Sequence, residues 1–139
     1  MAEIKRIDHV AVLVSDIESA ASFWRDGLGI ELIHITDVPA ERARVAFLPV
    51  GASEIELVKP TSSDSGLARF LETRGPGMHH ICLEVDDILG MIARLQEHGV
   101  EMINAEPRLS AEGKKYAFVH PKCAGGVMVE LYEEQSNGS

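Results

Sequence analysis

This sequence predicts an α+β fold: two tandem βαβββ modules whose strands form one curved mixed sheet around a cleft. Three observations carry that expectation. The first is an internal repeat, in which IDHVAVLVSDI at residues 7–17 returns as MHHICLEVDDI at residues 78–88, 71 residues later, with His9 aligned on His80. The second is that each copy runs from a strand-like pattern into a helix-start signal and an amphipathic stretch ended by glycine. The third is length, since 139 residues hold one domain or two small fused repeats and not two full-sized domains.

Each element follows in order. After the first strand, Asp16 and its counterpart Asp87 stand where a helix N-cap belongs. Amphipathic helices are expected over Ile17–Asp26 and Ile88–His98, stopping at Gly27 or Gly29 and at Gly99. Phe23 and Trp24 are expected to pack the first helix on its sheet. New strands are expected to begin at Gly29-Ile30-Glu31 and Gly99-Val100-Glu101, and the copies realign at Val45–Leu48 and Tyr116–Val119. Turns at Pro49–Ser53 and His120–Gly126 lead to closing strands Glu54–Val58 and Val127–Tyr132, where Glu56 aligns with Glu130 at an offset of 74. The modules therefore cover about residues 5–60 and 78–133 of a single domain, 1–139, and residues 61–77 form a linker with one short helix, Leu67–Thr73.

Composition narrows the function. Thirteen Lys+Arg against 22 Asp+Glu leave a net charge of −9, which speaks against nucleic acid and against an anionic membrane surface. No apolar run is long enough to span a bilayer, and MAEIKRIDHV has no signal-peptide h-region. Cys82 and Cys123 make neither a disulfide framework nor a C-x-x-C site, so a reduced, cytoplasmic compartment is expected.

Two polar pairs, His9/His80 and Glu56/Glu130, recur inside apolar strand runs. Equivalent strands of two modules that line one cleft would bring a recurring residue type to one point from two sides. Taken singly, each residue reads as a solvated or locally satisfied side chain. Four that obey a two-fold repeat read as a metal site, because two imidazoles and two carboxylates form a mixed N/O donor set for Mn, Fe, Co, Ni or Zn. Such an ion keeps positions open for a bidentate oxygen ligand and acts on it as a Lewis acid.

These residues resemble the vicinal oxygen chelate superfamily (glyoxalase, bleomycin resistance, dioxygenase), and within it the methylmalonyl-CoA epimerase branch. The resemblance spans residues 5–133 and rests on E-I-E-L-V-K-P-T-S-S-D-S-G-L-A-R-F-L, G-M-H-H-I-C-L-E-V-D-D-I and E-G-K-K-Y-A-F-V-H-P-K-C-A-G-G-V-M-V-E-L. It implies a divalent metal, Co²⁺ first and Mn²⁺, Zn²⁺, Ni²⁺ or Mg²⁺ as alternatives, held by His9, Glu56, His80 and Glu130, and usually a homodimer. It also implies epimerisation at C2 of methylmalonyl-CoA through a metal-stabilised enediolate, with Glu130 as one acid/base. The family's second acid/base lies in a P-E-Q-G-V-R type segment. Here Val38–Arg44 reads VPAERAR, which puts Ala40 at that position and Glu41 one residue later. A one-residue slip of the loop makes Glu41 the second base, and otherwise it is a surface charge. Glu112 stands where the family often carries His.

A coenzyme A thioester brings phosphate charge that a net-negative protein must meet with clustered cations. Lys114, Lys115 and Lys122 are the candidates for that contact, with Arg42 and Arg44 behind them; the alternative for Lys114 and Lys115 is an edge-strand gatekeeper role. His120 is a turn residue able to support the site, while His34, His79 and His98 read as structural or solvated. Rival functions are a glyoxalase I-type isomerase of a thiol–aldehyde adduct, an extradiol dioxygenase, and a metal-free small-molecule-binding protein.

Overall fold

The computed structural model describes residues 2–110 and 112–134. They form eight strands and three α-helices, with both parallel and antiparallel pairing, so the α+β expectation holds. The chain divides into two compact units, residues 9–79 and residues 2–8 with 80–134. Both are built on the same plan.

The first unit holds most of β1 (Ile4–Leu13), α1 (Ile17–Ala21), β2 (His34–Val38), β3 (Ala43–Val50), β4 (Ser53–Pro60) and α2 (Gly66–Arg74). Its strands lie in the order β2-β3-β4-β1, antiparallel except for the parallel pair β4·β1. Asp16 caps α1 as expected, its carboxylate accepting from the Ser19 amide at 2.9 Å. The helix then widens into a π-helical turn, Ser22–Gly27, and is stopped by Gly29 at φ 80°. That widening corrects the expectation for Phe23. An i→i+5 turn rotates successive side chains differently from a 3.6-residue helix, so Trp24 packs on the core while Phe23 is 57% exposed and stands T-shaped to the Trp24 ring.

Alternation along the strands gives this sheet two faces. One carries Ala46, Leu48 and Leu57 and is covered by Val14, Ile17 and Trp24. The other carries Ala11, Leu13, Val45 and Val58 and is covered by Leu67, Phe70 and Leu71 of α2. The linker helix is therefore a structural member of the first unit. β2 begins at His34 and not directly after Gly29, because Ile30 and Leu32 are spent on the α1-side core and the next backbone pairing is Ile33 N–H to Phe47 O, 2.9 Å.

The second unit repeats the plan with β5 (Gly77–Val85), α3 (Ile88–Glu97), β6 (Arg108–Leu109), β7 (Lys115–Val119) and β8 (Met128–Glu133), in the order β5-β8-β7-β6 with β5·β8 parallel. Asp87 caps α3 through the Gly90 amide at 3.1 Å, and Gly99 ends it at φ 78°. Ile88, Met91 and Ile92 pack on Val85, Ala117, Val119 and Leu131. The strand expected at Val100 is reduced to a single bridge, Met102 to Val119, and to the two residues of β6. A side chain replaces the missing ladder: Asn104 Oδ1 accepts from the Phe118 amide at 2.8 Å, and its Nδ2 donates to Glu106 O at 3.1 Å.

The face of this unit away from α3 is polar where its counterpart in the first unit is apolar. Register puts Tyr116, Tyr132 and Glu84 in one cross-strand row, where the first unit has Val45, Val58 and Leu13. Glu84 is only 4% exposed and accepts from Arg6 Nε at 2.7 Å, with Lys5 Nζ at 3.4 Å, while Arg6 also donates to Asp8 at 2.7 Å. Removing one partner of a buried ion pair strands the other charge. Because Arg6 stays partly solvated, Glu84→Ala is expected to cost about 2–3 kcal/mol, read as a lower urea midpoint at unchanged slope.

Candidate functional site

Each unit carries one His–Glu pair on the same kind of face. In the first, β1 turns His9, Ala11 and Leu13 to the face that α2 covers, and β4 turns Glu54, Glu56 and Val58 the same way. Glu56 stands between Ala11 and Phe47 in register, one row from His9. His9 Nδ1 comes 3.3 Å from Glu56 Oε2, with the side chains 12% and 15% exposed. α2 packs at the Leu13–Val58 end of this face, so the pair sits at the end away from the helix contacts.

The second unit reproduces the arrangement. Glu130 stands in register between Phe118 and Cys82, and His80 lies one row away opposite Met128. His80 Nε2 is 3.3 Å from Glu130 Oε1, with the side chains 15% and 17% exposed. The four residues singled out by the repeat thus form two equivalent imidazole–carboxylate pairs, each partly sheltered from water. Such a donor set fits a divalent transition metal ion, whose preferred nitrogen and oxygen ligands are these two groups.

The sequence reading missed the neighbours of the carboxylates. Phe47 and Phe118 are cross-strand partners of Glu56 and Glu130, and they are themselves 71 residues apart, so the offset that aligns the histidines could have found them. Phe118 meets the His80 ring edge-on at 6.4 Å and Tyr116 at 5.9 Å. Phe47 instead stacks on His34 of the neighbouring strand β2, centroids 4.5 Å apart. Tyr132, two residues from Glu130, is buried and donates to Glu134 at 3.1 Å. Burial and that carboxylate hold its phenol well above the ordinary tyrosine value, so it stays protonated and is no base.

Glu41 lies exposed in a 3₁₀ turn, Pro39–Glu41, between β2 and β3. Arg42 follows in the left-handed region at φ 51°, with its carbonyl accepting from the Thr61 amide at 2.8 Å and its side chain 3.2 Å from Asp64. Ala43 faces Pro60 in register, four residues along β4 from Glu56, which at ~3.3 Å per residue is about 13 Å of strand. The first unit therefore does not bring Glu41 beside the His9–Glu56 pair.

The three lysines differ in their surroundings. Lys122 is exposed and paired with Glu101 at 2.6 Å. That hydrogen bond raises the Lys122 ammonium and lowers the Glu101 carboxyl from their ordinary values. Lys114 lies over the Tyr132 ring at 5.1 Å. Lys115 is half-buried in β7 opposite Glu133. β6 pairs with β7 at Leu109 and Lys115, so Lys115 is not on an open edge and the gatekeeper alternative falls for it. His120 caps the turn before β8, its Nδ1 accepting from the Lys122 amide at 3.1 Å. His79 packs on Phe70 at 4.9 Å, and His98 Nδ1 meets Arg94 O at 2.9 Å, both structural as expected. Among the described residues no helix is long and apolar enough to cross a membrane, and Cys82 and Cys123 form no disulfide.

Comparison with known proteins supplies the remaining observation. The family model of the Glyoxalase/Bleomycin resistance protein/Dioxygenase superfamily matches residues 8–118. The ethylmalonyl-CoA/methylmalonyl-CoA epimerase of Cereibacter sphaeroides is 42% identical over 92% of this chain and 97% of its own. The mitochondrial methylmalonyl-CoA epimerase of Mus musculus is 39% identical over 93% of this chain and 73% of its own. Among solved structures, a Glu-to-Gln variant of the Streptomyces coelicolor methylmalonyl-CoA epimerase in complex with 2-nitronate-propionyl-CoA superposes with a TM-score of 0.83 at 31% identity, covering 96% of this chain and all of that one.

Proposed function

This chain belongs to the methylmalonyl-CoA epimerase family, isomerases of the glyoxalase/bleomycin resistance/dioxygenase superfamily, and from that premise we propose that it epimerises a 2-alkylmalonyl-CoA at C2 by metal-dependent proton transfer. The observation that carries this reading is the 42% identity to the C. sphaeroides enzyme over 92% of this chain, together with a His–Glu pair in each unit. The two units act as one functional domain.

His9, Glu56, His80 and Glu130 would hold the ion. When bound, it supplies a Lewis acid for the negative charge that the substrate gains on losing its C2 proton. The protein's own groups handle the proton. Glu130 takes or returns it on one face of C2, working from a strand position flanked by Phe118 and Cys82 that keeps bulk water off the carboxylate. Glu41 serves the other face. A second acid/base works from beyond C2, so its backbone does not need to stand beside that of Glu56.

Lys114, Lys115 and Lys122 meet the anionic coenzyme A portion, with Lys122 exchanging Glu101 for phosphate. We assign the protein to a reducing, cytoplasmic compartment, in keeping with its two cysteines outside any disulfide. A homodimer is the proposed assembly, and the exposed Leu28, Ile33, Ile35 and Val50 offer apolar surface for it; a monomer by sedimentation at micromolar concentration would refute that assignment.

Deuterium incorporation at C2 of methylmalonyl-CoA in heavy water tests the reaction. Rapid exchange that disappears on chelation and returns with Co²⁺ or Mn²⁺ is expected. Absence of exchange in every metal state would overturn the proposal. Glu41→Gln tests the second base: exchange should fall about 100-fold for one C2 stereoisomer and persist for the other. A change below about threefold for both would remove Glu41 from the mechanism.

A further inference from the structure

We propose that the Phe118 ring is the wall against which the 2-alkyl group of the substrate rests, so that this side chain sets the preference between methyl and larger alkyl substituents. The inference builds on the epimerase reading and on Glu130 as a base. It adds the residue that chooses the substrate.

The geometry of the second unit leads to it. A base must come within about 2.6–3.2 Å of the proton it removes, so the alkyl carbon on C2 lies close to the Glu130 carboxylate. That carbon needs apolar surface there, because its alternatives at C2 are the proton, the carboxylate and the thioester. In register beside Glu130 stand Cys82 and Phe118, and along its own strand on the same face stand Met128 and Tyr132. Cys82 is 1% exposed and Tyr132 is 8% exposed, with Lys114 over its ring and its hydroxyl committed to Glu134. Neither has surface left to offer. Phe118 is half-buried, directly opposite Glu130, and in T-shaped contact with both His80 and Tyr116. A ring held that way presents a fixed surface, whereas the neighbouring Met128 is flexible and would adapt to either alkyl group. The repeat supplies an internal contrast. Phe47, at the equivalent position, is stacked flat on His34 of β2, so its ring is engaged toward that neighbouring strand.

The test compares methylmalonyl-CoA with ethylmalonyl-CoA as paired substrates for the full-length, metal-loaded protein. Phe118→Val is expected to raise the ethyl-to-methyl ratio of kcat/KM about tenfold, and Phe118→Trp to lower it by a similar factor, since one methylene in an apolar pocket is worth at least that much. Phe47→Val should leave the ratio within about twofold of the parent. If Phe118→Val fails to fold, as judged by its far-UV signal and unfolding midpoint, Phe118→Leu takes its place, with a smaller rise in the ratio expected. Equal losses for both substrates in a folded Phe118 variant, or a ratio that follows Phe47, would overturn the assignment. A parent protein that turns over neither substrate would instead refute the epimerase reading itself, so the two failures are told apart.

Discussion

His80→Ala is expected to fold, to lose its divalent metal, and to lose turnover by more than about 100-fold, since even groups that merely support metal ligands cost 10- to 100-fold when removed. The side chain sits at the edge of its sheet face, 15% exposed, and none of the buried side chains packed beneath α3 rests on it. Its removal therefore leaves a shallow gap beside the Glu130–Phe118 row and not a core cavity. Metal content measured on the purified variant, beside C2 exchange in heavy water, checks both halves of the expectation. Full activity with full metal content would end the assignment of His80 as a ligand.

Glu130→Gln separates two roles that one carboxylate is asked to fill. A glutamine keeps an oxygen donor and the length of the side chain, so metal content is expected to fall modestly. It cannot accept a proton, so exchange is expected to drop about 1,000-fold for the C2 stereoisomer that Glu130 deprotonates and to persist for the other, within the usual range for a positioned general base. Loss of the metal together with activity would make Glu130 a ligand first and leave its part in proton transfer unproven. Retention of both would remove it from the site. The informative outcome is metal kept and exchange lost, and the structure gives it a physical basis, because Phe118 and Cys82 flank the position and admit no other carboxylate in that row.

The repeat made the central strands and both helix starts legible in the sequence. Asp16 and Asp87 sit where their side-chain oxygens must sit to cap α1 and α3, and His9, Glu56, His80 and Glu130 fall on equivalent positions of equivalent strands. Local pattern failed where a tertiary partner took over a local task. Asn104 stands in for a strand that Val100 was expected to start, since a side-chain amide can supply both a donor and an acceptor to β7. Phe23 left the core because a π-helical turn changed the angle at which it emerges. The linker helix was legible as a helix, but nothing in Leu67, Phe70 or Leu71 told which sheet face they would cover. The polar row of Glu84, Tyr132 and Tyr116 was illegible for the converse reason. Alternation shows which residues share a face and leaves open what lies over it.

The division of the chain bears on its birth at the ribosome. Residues 9–79 form a unit from one continuous stretch. Residues 2–8 belong with a partner unit that starts at residue 80, and the Arg6–Glu84 bond joins groups 78 positions apart. At roughly 5–20 residues per second, Lys5 and Arg6 wait about 4–16 s for Glu84 to be made. The acid that shelters these two cations thus reaches them only after the whole of residues 9–79 has been synthesised, although Lys5 and Arg6 are among the first residues made.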